Sequence, residues 1–418
     1  MSINKIALLV NFSRNSYLFN IMRALSQAFL DEGVETQLVD AGKEPEEVKA
    51  LLEELKPDFI FEINRTRGQT PDAIPEGMTH VAWIQDGWRE PKHGELPQLH
   101  YSDANFGGSE LIYTLVDPAY FGFSYHVAQG VWGRLHTGID PRVHHAKPEI
   151  PAVPNSAAIC GYIPLPLHAL NTEFMQHVMA WNKGRQVRAD YMANFLLNKA
   201  KASICQHTFP QIHQMIADEI CRYLDIQITA QDLVTSMDQI TYLQLLDTEM
   251  PRVNDRLALA NATLGAELSL QIYGPDFWRY WPTYLPYYQG NLRWAKELAD
   301  VYRRTQFNVH NGCFGMHSRV LECMGSGGSI FVCTGRFDDP EYDIRRHFTP
   351  GEHYVPFDME TAVETFSEWR GRDAALHEIA MNAAEQTRQH HTWRHRAREI
   401  LADVAAVRQM AAPSLEPA

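Results

Sequence analysis

The stretch that decides the fold is residues 306–332, which read QFNVHNGCFGMHSRVLECMGSGGSIFV. Its first residues form an apolar run that predicts a buried strand ending in His310 and Asn311. A loop with two glycines follows, and Ser318–Met324 then has the apolar spacing of a short helix. Three further glycines end that helix before the next strand, which begins at Ile330. Strand, loop, helix and strand in this order predict one unit of a parallel sheet.

The chemistry of this stretch points to a ligand site. In open α/β sheets, ligands bind at the carboxyl ends of the strands, which is where this loop and the start of the helix lie. Free backbone N–H groups at a helix start suit a phosphate group. Arg319 and Glu322 are one helical turn apart and share a face of the helix. A cation can pair with a phosphate and a carboxylate can hold two sugar hydroxyls, so the pattern indicates a nucleotide-sugar site.

The rest of the chain repeats the same alternation of strands and helices, which predicts the α/β class with doubly wound parallel sheets. In the first half, apolar runs predict strands at residues 6–10, 35–39, 59–63 and 79–84, with further short strands at 101–107, near 116 and at 123–127. The glycines form no GxGxxG pattern, so a dinucleotide fingerprint is absent.

The length of 418 residues predicts two domains. We expect two Rossmann-like domains, at residues 1–152 and 153–385, and a C-terminal helix and tail at 386–418. Residues 165–262 have mostly helical periodicity and predict an insertion in the second domain, with Pro251 kinking or splitting its last helix. That insertion could cover the sheet, shape acceptor specificity or mediate oligomerisation, so the oligomeric state stays open.

Composition excludes some classes of partner. The net charge is −14, from 51 acidic and 37 basic residues, which argues against a broad nucleic-acid or anionic-membrane surface. Six cysteines have no zinc-like spacing and predict reduced thiols in a cytoplasmic protein. We expect no membrane span. His390, His391 and His395 are not spaced to bind one metal ion from a helix, so they predict a solvated helix face.

Several segments together resemble a known family. The quoted stretch HSRVLECMGSGGSIFV resembles the donor-site helix of the bacterial glycosyltransferases related to the spore-maturation protein CgeB, within the two-domain GT-B class. The segments LQIYGPDFW, FTPGEHYVPFD and HHTWRHRAREIL resemble the parts before and after it. The resemblance covers residues 267–400 well. It is weaker over 1–160, where HVAWIQDGW carries it, and poor over 165–262.

The resemblance implies transfer of a sugar from a UDP-, GDP- or TDP-sugar, which is bound as a substrate, with no cofactor and no metal. The first domain would hold the acceptor and the second domain the donor. Glu322 would bind the ribose hydroxyls. Arg319 and the backbone of Gly315, Met316, His317 and Ser318 would bind the diphosphate. Retaining members of the class often carry a second acidic residue eight positions before this glutamate, and Phe314 stands there instead, so the stereochemistry stays open.

Residues at other strand ends are further candidates. Asp86 follows a buried strand and is the candidate catalytic base, although it could instead form an Asx turn or a helix cap. His80 begins the same strand and is a weaker candidate. His310, Asn311 and His353 are candidate contacts to the donor. Candidate acceptor contacts end strands of the first domain: Asn11, Asn15, Asn64 and Arg65.

Two supporting features are less specific. Arg279 and Arg293 are alternative cations for the diphosphate. The aromatic run from Phe277 to Tyr288 predicts packing of a loop, or the lining of a sugar or base site.

Two other functions fit the same sequence. A nucleotide-sugar epimerase would use the same donor site without an acceptor groove. A non-catalytic nucleotide-sugar-binding or scaffold protein would use the helical insertion as its interaction surface. Glycosylation of modified DNA is disfavoured by the net charge.

Overall fold

The computed structural model describes residues 3–10, 17–85, 105–115, 131–164, 201–232, 249–312, 314–334 and 344–411. Its strands are β1 Lys5–Val10, β2 Glu35–Asp40, β3 Phe59–Ile63, β4 Thr79–Ile84, β5 Leu111–Thr114, β6 Val131–Arg134, β7 Val153–Cys160, β8 Ser269–Tyr273, β9 Tyr288–Gly290, β10 Thr305–His310, β11 Ile330–Cys333 and β12 Val355–Phe357. Its α-helices are α1 Tyr17–Asp31, α2 Pro45–Leu55, α3 Phe209–Leu224, α4 Met250–Gly265, α5 Ala295–Arg304, α6 Ser318–Ser326, α7 Ala362–Trp369, α8 Asp373–His390 and α9 Trp393–Ala411.

The first sheet has six parallel strands in the order β2-β1-β3-β4-β5-β6. Its central strands are continuous apolar runs because both faces of the sheet are covered. The chain goes from β1 to one side of the sheet and then to β3 on the other side. The loops that follow β1 and β3 therefore lie at the point where ligands bind in open sheets of this kind.

The second sheet repeats this arrangement with the order β12-β11-β10-β7-β8-β9, and every pair of neighbouring strands is parallel. β7 and β10 are central neighbours, although β8 and β9 lie between them in the chain. This is the second switch point, and the predicted ligand stretch runs through it. The fold is therefore α/β with two Rossmann-like parallel sheets, as predicted.

Residues 306–332 fold as their sequence pattern predicts. Residues 305–310 are a fully buried strand, α6 follows the loop, and β11 begins at Ile330. Gly327 ends α6 in the left-handed conformation with φ of 78°, which glycine adopts without steric cost.

The last helix returns to the first sheet. Trp393 packs edge-on against Trp83 of β4 with 6.0 Å between ring centroids, and the Tyr113 hydroxyl donates to Asp403 at 2.7 Å. Buried residues of α9 thus complete the core over β1, β3 and β4. The two ends of the chain share one hydrophobic core.

Two sequence predictions are wrong in detail. Residues 105–107 form a loop, and the strand in this region is β5 at Leu111–Thr114. Gly107 and Gly108 both have positive φ, which breaks a strand at that point. Residues 101–104, 116 and 123–127 lie outside the described residues. α4 begins at Met250 with Pro251 in its first turn, where no N–H is needed. The earlier part of the predicted helix lies outside the described residues, so the kink or split at Pro251 stays a prediction.

The second error concerns the histidines before α9. His391 is buried rather than solvated, and its Nδ1 atom lies 2.8 Å from a guanidinium nitrogen of Arg396. Its ring also packs against the rings of Phe348 and His347. The helical spacing could not show this, because the burial comes from a loop about 40 residues earlier in the chain.

Among the described residues, no helix is both long enough and apolar enough to cross a membrane.

Candidate donor site at the second switch point

The candidate site lies where β7, β10 and α6 meet. β7 ends at Cys160 and leads into Gly161 and Tyr162, while β10 ends at His310 and leads into Asn311. The amide of Gly161 donates to the Tyr273 carbonyl at the end of β8, at 2.8 Å. These strand ends form one edge of the second sheet, and α6 starts beside it.

Two arginines converge on Gly161. A methyl group placed on this glycine would lie 3.6 Å from Nη1 of Arg319 and 3.7 Å from Nη2 of Arg256. A side chain at position 161 would therefore occupy the space between the two guanidinium groups. Within the described part of the chain, the Arg319 guanidinium forms no ion pair and no hydrogen bond. The arrangement leaves positive charge available at the sheet edge, where an anion can bind.

Arg256 is buried and held in place by polar groups. Its guanidinium donates to the Asn311 side-chain oxygen and, at 3.3 Å, to the Tyr162 carbonyl. The Asn311 amide nitrogen in turn donates to the Asp255 carbonyl at 2.5 Å. Both polar atoms of the Asn311 side chain are thus bonded to the protein, so Asn311 helps to hold Arg256 in place.

The predicted insertion contributes directly to this site. Arg256 lies on α4, within residues 165–262, and its neighbour Asp255 is buried. The Asp255 carboxylate accepts from the Ser203 hydroxyl at 2.6 Å and from the Ile204 amide at 3.1 Å. Cys205 donates to the Asn311 carbonyl at 2.9 Å. This part of the insertion supports the floor of the site.

Glu322 lies one turn after Arg319 on α6 and is half-buried. Burial raises the pKa of its carboxyl group to about 7, and the nearby Arg319 opposes the shift. Its Oε2 atom is buried and has no hydrogen-bond partner among the described residues. A buried acceptor without a partner costs free energy, so a ligand hydroxyl that reached it would be favoured.

Two histidines lie beside the arginines. The His310 and His317 rings are 4.9 Å apart, and Nε2 of His310 is buried without a partner among the described residues. Burial, together with Arg256 and Arg319, lowers the pKa of His310 well below its usual range. Burial and the same neighbours lower the pKa of His317. Both rings are therefore neutral at pH 7.

Three backbone amides at the start of α6, which come just after the predicted Gly315–Ser318 backbone, have partners inside the protein. Nδ1 of His317 accepts from the Arg319 amide at 3.2 Å and caps the helix. The amides of Val320 and Leu321 donate to the His317 carbonyl at 3.0 and 3.2 Å. These three donors already have partners inside the protein, which leaves the side chains a larger share in binding an anion.

The other predicted donor residues have different surroundings. Met316 is a core residue, and a methyl group on Gly315 would lie 2.8 Å from Cβ of Ile344. Ser318 is buried, with its hydroxyl 3.4 Å from Nδ1 of His317. His353 is half-buried and accepts from the Thr349 amide at 2.9 Å. The structure brings Arg319, Glu322, His310 and His317 together. Among the described residues, the contacts of His353 are with Thr349 and Phe348 of its own loop.

In the first domain, the Asn64 side-chain oxygen accepts from the Gln85 amide at 2.8 Å and so ties the end of β3 to the end of β4. Arg65 donates to the fully buried Glu62 at 2.6 Å. His80 is also buried, and its Nε2 lies 3.5 Å from Glu62. Asn11, Asn15 and Asp86 lie outside the described residues, so their roles remain predictions.

The aromatic run packs a loop of the site. Trp278 donates to the Gly161 carbonyl at 2.8 Å, and Trp281 donates to the Pro164 carbonyl at 3.1 Å. Arg279 pairs with Asp276 at 3.1 Å, and neither it nor Arg293 lies against Gly161 in the way that Arg256 does. Among the described residues, no group of three or more His, Cys, Asp or Glu side chains could hold a metal ion.

Sequence reasoning missed Arg256, which stands four residues after Arg252 on one face of α4. Arg252 donates to the Tyr162 hydroxyl and lies over its ring, with its guanidinium carbon 4.8 Å from the centroid. Two arginines at this spacing beside the apolar residues of α4 were a signal, because a charged side chain that packs among apolar groups needs a partner.

Comparison with known proteins agrees with this geometry. Residues 252–402 match a family described as glycosyl transferase-like. That match covers about a third of the chain and includes Arg256, Arg319 and Glu322. No curated protein is similar enough in sequence to count as a match.

Solved structures show the same fold. A sucrose-phosphate synthase from Thermosynechococcus elongatus matches with a TM-score of 0.55 and 10% identity, over 98% of this chain and 100% of that one. A glycosyltransferase from Rickettsia africae matches with a TM-score of 0.50 and 7% identity, over 98% and 100%. At this identity the likeness concerns the fold alone, which is the two-domain GT-B arrangement.

Proposed function

We propose that the protein is a glycosyltransferase that moves a sugar from a nucleotide-sugar donor to an acceptor. One observation carries the proposal: Arg256 and Arg319 converge on Gly161 at the second switch point, one helical turn from the partly unpaired carboxyl group of Glu322. Two cations that converge on a glycine, with a carboxyl group beside them, suit a diphosphate joined to a sugar that carries neighbouring hydroxyls. The glycosyl transferase-like match spans the helices that carry these residues.

The chemistry requires stabilisation of the leaving diphosphate. When the bond from the sugar to the diphosphate breaks, negative charge grows on the phosphate oxygens, and cations placed beforehand stabilise that charge. Arg256 is fixed by Asn311 and Tyr162, so little reorganisation is needed. Glu322 would accept hydrogen bonds from the ribose hydroxyls in its ionised form.

The acceptor would bind against the first domain. Asn64 and Arg65 follow β3 at the first switch point, and Asn11 and Asn15 follow β1 in the chain. Asp86 is the proposed base for the acceptor hydroxyl, since it follows Gln85 at the carboxyl end of β4. Asp86→Asn should leave donor binding intact and abolish transfer.

We further propose that transfer needs no metal ion. Two guanidinium groups carry the positive charge that a divalent cation supplies in metal-dependent transfer. Activity should therefore be unchanged after dialysis against a chelator, and recovery of activity only on adding Mg²⁺ or Mn²⁺ would contradict this part.

The first test is thermal stability against a panel of UDP-, GDP-, TDP- and CMP-sugars, on the wild type and on Glu322→Ala. A ligand at about 100 times its dissociation constant adds about 2.7 kcal/mol to the free energy of unfolding. We expect one nucleotide to raise the Tm of the wild type. Loss of the carboxylate should weaken binding by about 1–3 kcal/mol.

Product analysis after the donor is mixed with candidate acceptors separates the alternatives. Sugar joined to an acceptor identifies a transferase, an altered sugar still joined to the nucleotide identifies an epimerase, and binding without either product identifies a binding protein. No Tm shift with any nucleotide sugar at saturating concentration would contradict the donor site itself.

A further inference from the structure

We infer that His317 is a direct donor ligand that caps α6 with one ring nitrogen and binds a phosphate oxygen of the nucleotide diphosphate with the other. The inference rests on the proposed function, because it assigns a residue to the same donor site. The expected role for position 317 was its backbone, whereas this role belongs to its side chain.

The helix cap fixes which nitrogen carries the proton. Nδ1 of His317 accepts from the Arg319 amide, so it carries no hydrogen. A neutral imidazole then has its proton on Nε2, which is a hydrogen-bond donor on the side of the ring away from the helix end. Burial and the surrounding arginines keep the ring neutral, so this tautomer is stable at pH 7.

The position of the ring makes this donor available to the site. His317 is half-buried and lies against the His310 ring, whose Nε2 is buried and has no partner among the described residues. Burial lowers the pKa of the ring, and so do the nearby His310 and the charges of Arg319, Arg256 and Arg252, of which Arg319 and Arg256 are the cations of the site. A ligand that reaches both guanidinium groups beside Gly161 therefore passes close to the His317 ring.

The chemistry of the surroundings selects an anion. Groups around the ring supply positive charge and N–H donors, and diphosphate oxygens accept both. A neutral N–H donor adds a directed hydrogen bond without adding charge. The imidazole N–H also gives the ligand a hydrogen-bond donor at a helix start where the amides of residues 319–321 already have partners.

Variants that keep the cap but lose the ring test the inference. Asparagine and aspartate are both good N-cap residues, so His317→Asn and His317→Asp should preserve α6 and its stability. UDP, GDP, TDP and inorganic pyrophosphate are titrated into each protein by calorimetry. For the nucleotide that binds the wild type, we expect the dissociation constant to rise about tenfold in His317→Asn and further in His317→Asp, whose carboxylate repels phosphate.

A matched control is His395→Asn. Nδ1 of His395 also accepts a backbone amide at a helix start, that of Thr392 at 3.3 Å, but from inside the first turn of α9 rather than from the N-cap. The substitution therefore removes a histidine cap contact of a related kind and leaves the donor site untouched. This variant should bind nucleotide like the wild type. The Tm without ligand should stay within about 2 °C of the wild type for both asparagine variants.

Two results would overturn the inference. Equal affinity of His317→Asn and the wild type would show that the ring does not touch the ligand. A large drop in Tm of both His317 variants, with unchanged affinity in the folded fraction, would show a role confined to the helix cap. If the wild type itself binds none of the probes, the proposed function fails, which is a distinguishable outcome.

Discussion

At the scale of single residues, the Glu322 carboxyl group links function to stability. Burial raises its pKa to about 7, whereas the unfolded chain has a pKa near its usual value of about 4.3. Between these values the folded chain holds a proton that the unfolded chain has lost, so the free energy of unfolding falls as pH rises through 7. The carboxylate that would bind the donor is thus the form that destabilises the empty protein.

The fall in the free energy of unfolding with rising pH gives a prediction for Glu322→Gln, because glutamine cannot ionise. Near pH 4.5 the variant and the wild type should have nearly equal stability. Above pH 7 the variant should be more stable by about 1–3 kcal/mol, while its nucleotide affinity is lower. Urea unfolding of both proteins at pH 5 and pH 8 measures the difference. A stability difference that does not change with pH would mean that Glu322 is ionised throughout.

The two arginines at Gly161 should respond differently to the same substitution. Arg319 has no hydrogen-bond partner for its guanidinium within the described part of the chain, so Arg319→Met should change the free energy of unfolding by less than about 0.5 kcal/mol. Arg256→Met leaves the Asn311 oxygen and the Tyr162 carbonyl without their donor, which should cost about 1–3 kcal/mol.

Both variants should lose about tenfold or more in nucleotide affinity, because each removes a cation from the diphosphate. Denaturant unfolding and calorimetric titration on the same samples separate the two effects. Unchanged affinity in Arg319→Met would place the diphosphate away from α6.

At the scale of elements, the close approach of two strand ends shapes the site. A side chain on Gly274, after β8, would collide with the Gly161 carbonyl oxygen, so the loops after β7 and β8 must separate if it is replaced. Gly274→Ala should therefore lower the free energy of unfolding by about 1–3 kcal/mol. It should also weaken nucleotide binding, because Gly161 would move relative to Arg256 and Arg319.

Gly265→Ala is the control for that experiment. A methyl group there would lie 3.2 Å from Cγ2 of Val363, whose side chain is exposed and has room to shift. The position is also in a helix, where alanine is favoured over glycine. Thermal unfolding and nucleotide titration should show little change in Gly265→Ala. Normal binding by Gly274→Ala would mean that the loop after β7 does not shape the site.

At the scale of the whole molecule, histidines join distant parts of the chain. The His347 ring packs edge-on against His136, which follows β6, and against His391, which precedes α9, at 5.2 and 5.1 Å. Burial and the nearby Arg396 and Arg346 lower the pKa of His347 to about 4. As pH falls below about 6.5 the unfolded chain binds a proton that the folded chain cannot, so stability is lost between pH 6.5 and 4.

His347→Gln should reduce this loss, because glutamine does not titrate. We expect the wild type to lose about 1 kcal/mol more than the variant between pH 7 and pH 5, after allowing for the partial exposure of the ring. Urea unfolding at the two pH values measures it. Parallel loss of stability in both proteins would show that other groups cause the acid sensitivity.

The sequence by itself determined the local elements and their order. In the second sheet, β7 and β8 are each followed by a glycine, and β10 and β11 are buried strands. α6 is bounded by its cap and Gly327. These local signals predicted the sheet and placed Arg319 and Glu322 on one helical face. Short β5 was missed because four residues carry little periodicity and two glycines precede it.

Only the tertiary structure decided which side chains meet. Arg256 enters the site from a helix about 60 residues before α6, and Asn311 turns inward to hold it rather than outward to a ligand. His391 is buried by a loop that lies far from it in the chain. Periodicity reports which face of an element is apolar, but it carries no information about which distant element covers that face. Burial, pKa and charge pairing depend on those distant neighbours, so the chemistry of the site follows from packing.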